Sequence, residues 1–377
     1  MRLRATEMVV DTDAIASNVR ALRRIAAPAE LCAVVKADGY GHGSVRAARA
    51  ALAGGAAWLA VALVEEGVAL RAAGIDSPIL VLSEPPAGAG PAVAANSLTA
   101  TFYSERAITE LAATRQSIMV HLKVDTGMHR VGADPSEVLH LLRCVAACPT
   151  LQHTGTFTHL AVADDPLNAY TAQQLQVFDA VLDSLRAEGF DPGLRHAANS
   201  AAAMAHPAAR YDLVRCGIAI YGQWPDAEFD PRNYGVDLIP AIRLVSEVRH
   251  IKHLPAGARI SYGLTHELDR ASIVATIPIG YADGLPRRLS TVGGEVLVRG
   301  RRVPIVGRVT MDQIVVDCGS DASVAVGDEV VLLGRQGDVE ITAMEWATRV
   351  DTIAYEITCG VGSRVPRRTM RCTDGVS

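Results

Sequence analysis

Residues 33–43 read Ala-Val-Val-Lys-Ala-Asp-Gly-Tyr-Gly-His-Gly, an apolar run that ends on one lysine, Lys36, and breaks into a glycine-rich turn carrying Tyr40. An amine at the mouth of a buried strand is incompletely solvated. Its pKa is expected to fall, so more of it is the free nucleophile near neutral pH. Such a lysine can form a Schiff base. Taken alone, the segment also reads as a surface lysine that follows a strand.

Working outward, the same texture recurs. Short β-rich runs are expected at 33–36, 59–63, 79–82, 98–103, 118–125, 153–159, 194–199 and 213–221, eight candidate strands. Ala-, Leu- and Arg-rich helical stretches separate most of them, at 44–52, 65–73, 105–113, 136–147 and 172–188. This is the pattern of βα units in a parallel sheet, and eight units suggest a closed (β/α)8, TIM-like barrel. An open doubly wound sheet is the alternative, but no G-x-G-x-x-G turn follows residues 33–36.

Between 222 and 236 the texture changes, with Pro225, Asp226, Asp230, Pro231, Asn233 and Gly235 breaking any period. Beyond it, runs at 242–254, 273–279, 313–317 and 329–333 are separated by turn residues, which predicts a mostly antiparallel β domain with one short helix at 343–349. The expected division is an N-terminal strand in 1–11 joining the β domain, a barrel over 12–235, and the β domain over 236–377.

The 377 residues carry 36 Lys plus Arg against 41 Asp plus Glu, a formal charge of −5 that gives no electrostatic case for nucleic acid or an anionic membrane. No apolar run reaches the roughly 18 residues of a membrane-spanning helix, and nothing at the N-terminus reads as an export signal, so a cytoplasmic protein is expected. Seven cysteines are scattered without C-x-x-C pairs, including Cys32, Cys144, Cys148 and Cys372. They read as reduced thiols, with no metal site.

A barrel places its site at the C-terminal ends of the strands. The polar residues fall there: Lys36 after the first run, Lys123, Asp125 and Arg130 after the fifth, His159 after the sixth, Asn199 and Ser200 after the seventh, Arg215 and Gly217 on the eighth. Barrels often hold a phosphate after the seventh and eighth strands, and Ser200, Gly217 and Ile218 would supply its ligands. Asn199-Ser200 also reads as a helix cap. A Schiff-base lysine beside a phosphate cradle points to pyridoxal 5'-phosphate, an electron sink for negative charge at an amino acid α-carbon.

The stretches A-V-V-K-A-D-G-Y-G-H-G, H-L-K-V-D-T-G-M-H-R, T-F-T-H-L-A, H-A-A-N-S-A-A, V-R-C-G-I-A-I-Y-G, I-S-Y-G, I-P-I-G-Y-A-D-G, V-G-R-V-T-M-D-Q and Y-E-I-T-C occur in that order nearly end to end. Together they resemble the alanine racemase family of pyridoxal phosphate enzymes. The resemblance implies that Lys36 bonds the cofactor and moves the α-proton on one face of the substrate, and that Tyr262 serves the other. A phenol near pKa ~10 needs nearby positive charge to act as a base at neutral pH. By the same resemblance His159 and Arg215 form a hydrogen-bond chain with Tyr262, and Arg215 faces the pyridine nitrogen. Arg130 and the backbone of Met311 contact the substrate carboxylate; Tyr40, Ser200, Gly217, Ile218 and Tyr355 hold the phosphate; Leu82 and Tyr355 wall the pocket; and Tyr281 stands at the substrate entrance.

The resemblance further implies a homodimer in which Tyr262 and Met311 come from the partner subunit, and D-alanine supplied for peptidoglycan. The sequence departs from the family's usual pattern at His129, where small residues are common, and at Thr310, where a cysteine often lies. Lys123 matches a position often carbamylated in relatives. The competing readings are a serine-preferring or broad-specificity racemase of the same fold, a barrel-type amino acid decarboxylase, and a barrel metal hydrolase built on His121, His153, His159 and His196.

Overall fold

The structure, a computed structural model, describes residues 4–370. The contacts divide the chain into two compact units. One runs from Asp13 to Ile239; the other joins the residues before it, through Thr12, to those from Pro240 onward.

After strand β1 (Glu7–Val10), the first unit contains β2 (Glu30–Val34), β3 (Trp58–Val61), β4 (Ile79–Val81), β5 (Ala100–Phe102), β6 (Ile118–Lys123), β7 (Leu151–Phe157), β8 (Leu194–His196) and β9 (Leu213–Cys216). They form two four-stranded parallel sheets, ordered β4-β3-β2-β9 and β5-β6-β7-β8. Two seams close them into one barrel. At the first, Thr99 N–H donates to Ile79 O and Val81 N–H to Thr99 O, both at 2.9 Å. At the second, Asp212 N–H reaches Arg195 O at 3.0 Å and Arg215 N–H reaches Ala198 O at 2.9 Å.

Strands β3, β4 and β5 are buried throughout, which explains why they read as unbroken apolar runs rather than alternations. Helices cover them outside. Thr12–Ala26 buries Ile15, Val19 and Leu22, and Tyr170–Ala187 buries Leu175, Phe178, Leu182 and Leu185, both at helical spacing. Ser104 starts the helix Glu105–Ala112 by accepting Ala107 N–H at 3.2 Å.

The second unit continues with β10 (Ile242–Glu247), β11 (His250–Leu254), β12 (Arg259–Ile260), β13 (His266–Glu267), β14 (Ser272–Ile277), β15 (Glu295–Val298), β16 (Arg301–Val306), β17 (Ile314–Asp317), β18 (Glu329–Gln336), β19 (Val339–Ile341) and β20 (Arg367–Thr369). Its main sheet runs β11-β14-β17-β16-β15-β18-β10-β1-β20, with β19 on β18. Every pairing is antiparallel except β1 with β20.

Three local expectations change. The run 242–254 is two strands, because β10 pairs with β1 and β18 whereas β11 pairs with β14. The run 213–221 stops at Cys216 and becomes the 3-10 turn Ile218–Tyr221. A second helix, Ala354–Gly360, follows Ala343–Val350 and carries Tyr355. No helix among the described residues is long and apolar enough to cross a membrane. The six described cysteines are free thiols; Cys372 lies outside the described residues.

Candidate active site

Lys36 stands two residues past the end of β2, at the start of a segment with an unusual backbone. Ala37, Asp38, Gly39 and Tyr40 all have φ between 51° and 63°. For residues other than glycine the left-handed region costs about 1–2 kcal/mol each, so the surroundings must impose it. Glu66 accepts Ala37 N–H at 2.6 Å, Asp38 accepts Ser44 N–H at 2.8 Å, and Gly39 N–H returns to Val35 O at 2.9 Å. This backbone turns Lys36 and Tyr40 out at the strand end, and such strain collects at functional sites.

Arg215, on β9, is 4% exposed and is fixed from several directions. Its guanidinium donates to Thr158 O at 2.7 Å and Ala197 O at 2.9 Å, to His196 Nδ1 at 2.8 Å and to His159 Nδ1 at 3.2 Å. It also lies over the Phe157 ring, 5.1 Å from its centroid. Burial pulls its pKa down to about 10, so it stays a cation at neutral pH. A guanidinium only donates, so both histidines accept at Nδ1 and each neutral ring carries its proton on Nε2. His196 Nε2–H then donates to His121 Nδ1 at 3.0 Å. Donation therefore runs outward from Arg215, to His159 on one side and through His196 to His121 on the other, and leaves His159 Nε2–H available to an oxygen.

Burial holds His159 well below the usual histidine pKa, and the charges of Arg215, Lys123, Arg130 and Lys36 add to the effect. Basic side chains from three strand ends, those of β2, β6 and β9, therefore bear on one imidazole. Lys123 is 6% exposed, donates to Leu82 O at 3.3 Å and sits 5.4 Å over the Phe157 ring. Burial, reinforced by Arg215, Arg130 and Lys36, lowers its pKa to about 7. Arg130 itself is exposed on the segment after β6. Asp125 shapes that segment by accepting Gly127 N–H and His129 N–H, both at 3.0 Å, and His129 takes φ 55°.

A depressed lysine pKa has a consequence for stability. Between about pH 7 and the ordinary lysine value of 10.5 the unfolded chain binds a proton that the folded chain does not, so this group makes stability rise with pH across that window. Urea unfolding of the parent, compared with Lys123→Met, is expected to show an extra rise of roughly 1 kcal/mol per pH unit in the parent. Equal slopes in the two proteins would show that Lys123 is charged when folded.

Ser200 and Gly217 meet in a small polar cradle. The buried Ser200 hydroxyl accepts Gly217 N–H at 3.0 Å and Ala219 N–H at 3.4 Å, and Asn199 caps the helix Ser200–Ala205 through Ala202 N–H at 2.9 Å. A Cβ placed on Gly217 would come within 2.4 Å of the Tyr40 hydroxyl. Only glycine lets that hydroxyl lie against the 217–218 backbone. Tyr40 is braced by the Tyr221 ring at 5.1 Å, and Tyr221 donates to Val34 O at 3.0 Å. Hydroxyls of Tyr40 and Ser200 with backbone at Gly217 and Ile218 are neutral groups suited to a phosphate dianion.

The remaining expected residues belong to the second unit. Tyr262, Tyr281 and Met311 line one cleft of about 620 Å³ with Arg287, Arg308 and Thr310. Ser261 holds the Tyr262 turn by donating to Arg308 O at 2.8 Å. Tyr281 N–H and Ala282 N–H donate to Thr310 O and Met311 O at 3.0 and 3.1 Å. This approach is possible because a Cβ on Gly280 would fall 2.3 Å from both carbonyls. Met311 N–H makes no protein hydrogen bond among the described residues. Tyr262 is 74% exposed and Met311 52%. Tyr355 stands half-buried on the helix Ala354–Gly360, outside the cleft lining.

Some supporting residues were not singled out from sequence. Gln174, fully buried, accepts Ala161 N–H at 2.8 Å and donates to His159 O at 3.1 Å, fixing the segment that carries His159. Its signal was a polar residue on the apolar stripe of the helix Tyr170–Ala187. Asp283 accepts Gly280 N–H at 3.0 Å and pairs with Arg4 at 2.6 Å and Arg364 at 3.4 Å; Arg364 also binds Asp312 at 2.7 Å. These ties lock the two strips of the cleft together.

Comparison with known proteins bears on this arrangement. The family model for the alanine racemase N-terminal domain matches residues 10–225, and that for the C-terminal domain matches residues 241–369. The alanine racemase of Symbiobacterium thermophilum is 49% identical over 369 residues, with 97% of each chain covered. Alanine racemase 2 of Bacillus subtilis is 41% identical over 371 residues, covering 96% of this chain and 94% of its own. Among solved structures, alanine racemase from Bacillus anthracis with bound L-Ala-P superposes with TM-score 0.92 at 39% identity, covering 99% of this chain and 96% of that one. Alanine racemase from Streptomyces lavendulae gives TM-score 0.92 at 39% identity, covering 98% of each.

Proposed function

The chain belongs to the alanine racemase family, and on that premise we propose that Lys36 and Tyr262 move the α-proton of alanine on opposite faces of the α-carbon. The enzyme interconverts L- and D-alanine, and supply of D-alanine for peptidoglycan fits the family. The observation that carries the site assignment is electrostatic. Lys36, Lys123, Arg130 and Arg215 bear on His159, and the Asp125 carboxylate after β6 is taken up by backbone N–H groups. Such a set of basic groups suits a ligand with a phosphate and a substrate with a carboxylate.

The cofactor is proposed to be pyridoxal 5'-phosphate, which would supply an electron sink for the charge left at the α-carbon. The residues fit it. Ser200, Tyr40 and the Gly217–Ile218 backbone form the anion cradle, with Tyr355 as a further phosphate ligand and Leu82 and Asn199 beside them. Arg215 keeps its proton and is proposed to oppose protonation of the pyridine nitrogen, which discourages side reactions. Arg130 and Met311 N–H orient the substrate carboxylate, and His159 Nε2–H donates toward the Tyr262 oxygen. Arg287 and Arg308 line the same cleft as Tyr262. Tyr281 narrows the entrance.

Gly217→Ala tests the cradle without touching a reacting group. The new methyl would collide with the Tyr40 hydroxyl, which a Cβ at this position approaches to 2.4 Å. Overpacking of this kind costs about 1–3 kcal/mol, so pyridoxal phosphate affinity measured by absorbance titration is expected to fall roughly ten- to hundredfold. Unchanged affinity would remove Gly217 from the cradle.

Tyr262, Leu264, Tyr281 and Met311 are large hydrophobic side chains left exposed in the chain, and Tyr262, Tyr281 and Met311 share one cleft, the kind of surface that a partner covers. We assign its cover to a second copy of the chain. The working form is then a homodimer in which residues 12–235 bind the cofactor and residues 236–377, with 1–11, complete the partner's site. Mixing inactive Lys36→Ala chains with inactive Tyr262→Phe chains is expected to restore activity, since each hybrid holds one intact site. Failure to restore it after verified exchange would place both bases in one chain. A cytoplasmic location belongs to the same proposal, and the six described free thiols are in keeping with it.

A further inference from the structure

On the outside of the barrel, three residues from two neighbouring helices bring different metal-ligating atoms together, and the racemase reaction uses none of them. Glu105 opens the helix Glu105–Ala112, and His140 and Cys144 lie four residues apart on the helix Val138–Ala146. The carboxylate oxygen, imidazole nitrogen and sulfur all lie within 4.8 Å of one another. His140 Nε2 is 2.6 Å from Glu105 Oε1 and 3.8 Å from Cys144 Sγ.

We propose that Glu105, His140 and Cys144 form a binding site for a borderline transition-metal cation of the Zn2+ class, with water as the fourth ligand. The argument is geometric. With Zn–N near 2.0–2.1 Å and Zn–S near 2.3 Å, a tetrahedral angle puts the nitrogen and sulfur about 3.6 Å apart, close to the separation found. With Zn–O near 2.0–2.2 Å, the oxygen and nitrogen belong about 3.4 Å apart. The present hydrogen bond therefore has to open by less than an ångström. Spacing of i and i+4 keeps His140 and Cys144 on one helix face without any backbone change.

The chemistry selects the ion. A thiolate and an imidazole favour Zn2+, Co2+ or Ni2+ over Mg2+ and Ca2+, which seek oxygen alone. The side chains of Glu105 and His140 are 65% and 60% exposed, so the ion reaches them directly from solvent. The nearest arginine on the same helix, Arg143, is drawn away by Glu188 at 2.7 Å. The site would tie the helix that precedes β6 to the helix that follows residues 124–137, the segment bearing Asp125, His129 and Arg130.

The test loads the cofactor-bound enzyme with Zn2+ under reducing conditions that do not chelate metal, removes free ion by gel filtration, and measures zinc per chain. One equivalent is expected in the parent and in Cys148→Ser, and at least a tenfold loss of affinity in both His140→Ala and Cys144→Ser. Bound zinc should also slow alkylation of Cys144 while leaving that of the exposed Cys359 unchanged, as read by peptide mass spectrometry. Equal thermal unfolding of all four proteins without zinc shows that the variants fold. Zinc retained by both His140→Ala and Cys144→Ser, loss in Cys148→Ser alone, or no zinc in the parent overturns the proposal.

Discussion

Replacing Lys36 with alanine abolishes alanine racemisation, with turnover expected to fall by at least about 10^4-fold. On the proposed assignment the substitution removes the amine that would bond the cofactor and one of two proton-transfer groups, each of which alone accounts for large factors. The fold should survive. The left-handed segment 37–40 is held by Glu66, Asp38 and backbone bonds that the substitution leaves in place. Circular dichroism and thermal unfolding like those of the parent, with the visible band of lysine-bound cofactor gone, would accompany the loss. Residual racemisation within tenfold of the parent sinks the assignment.

Tyr262→Phe has the second largest effect and a different signature. Removing a general acid–base group costs about 10^2–10^4-fold, but only on the face that the group serves. Exchange of the α-proton from one enantiomer is expected to collapse, while the other continues to exchange through Lys36 and returns its proton without inversion. Because Tyr262 is 74% exposed within its own chain, loss of its hydroxyl leaves no cavity in that chain's core. Equal slowing for both enantiomers would mean that Tyr262 positions the substrate and does not move its proton.

The barrel was legible because β3, β4 and β5 are buried throughout and helices such as Thr12–Ala26 are amphipathic, so the two periodicities separate along the chain. The strand-end rule then located Lys36, Lys123, His159, Ser200 and Arg215 without any contact information. What lay beyond the pattern was whatever depends on closure. Ala37, Asp38 and Tyr40 take left-handed backbone that their residue types do not announce. His121 and His196 sit 75 positions apart and meet only when β6, β7 and β8 align, so they read as scattered metal candidates rather than as braces for Arg215.

The second unit shows the same limit. Its turn-rich runs gave the antiparallel class, but no local signal divides 242–254 between two sheet neighbours. Nor does any period bring Tyr262, Tyr281 and Met311 to one cleft; that grouping came from the family resemblance, and their convergence is a property of the folded chain. Gln174 and Asp283 act through the residues they hold. Buried polar groups of this kind show in sequence only as breaks in an apolar stripe.

The most direct test of the two-base account is the fate of L-alanine with cofactor-loaded enzyme in deuterated water, following optical rotation and α-proton exchange together, with L-serine in parallel. The account predicts that rotation decays to zero with deuterium at the α-carbon of both enantiomers, and far more slowly with serine. Exchange without inversion would contradict it, because it would leave only one face of the substrate with a working base.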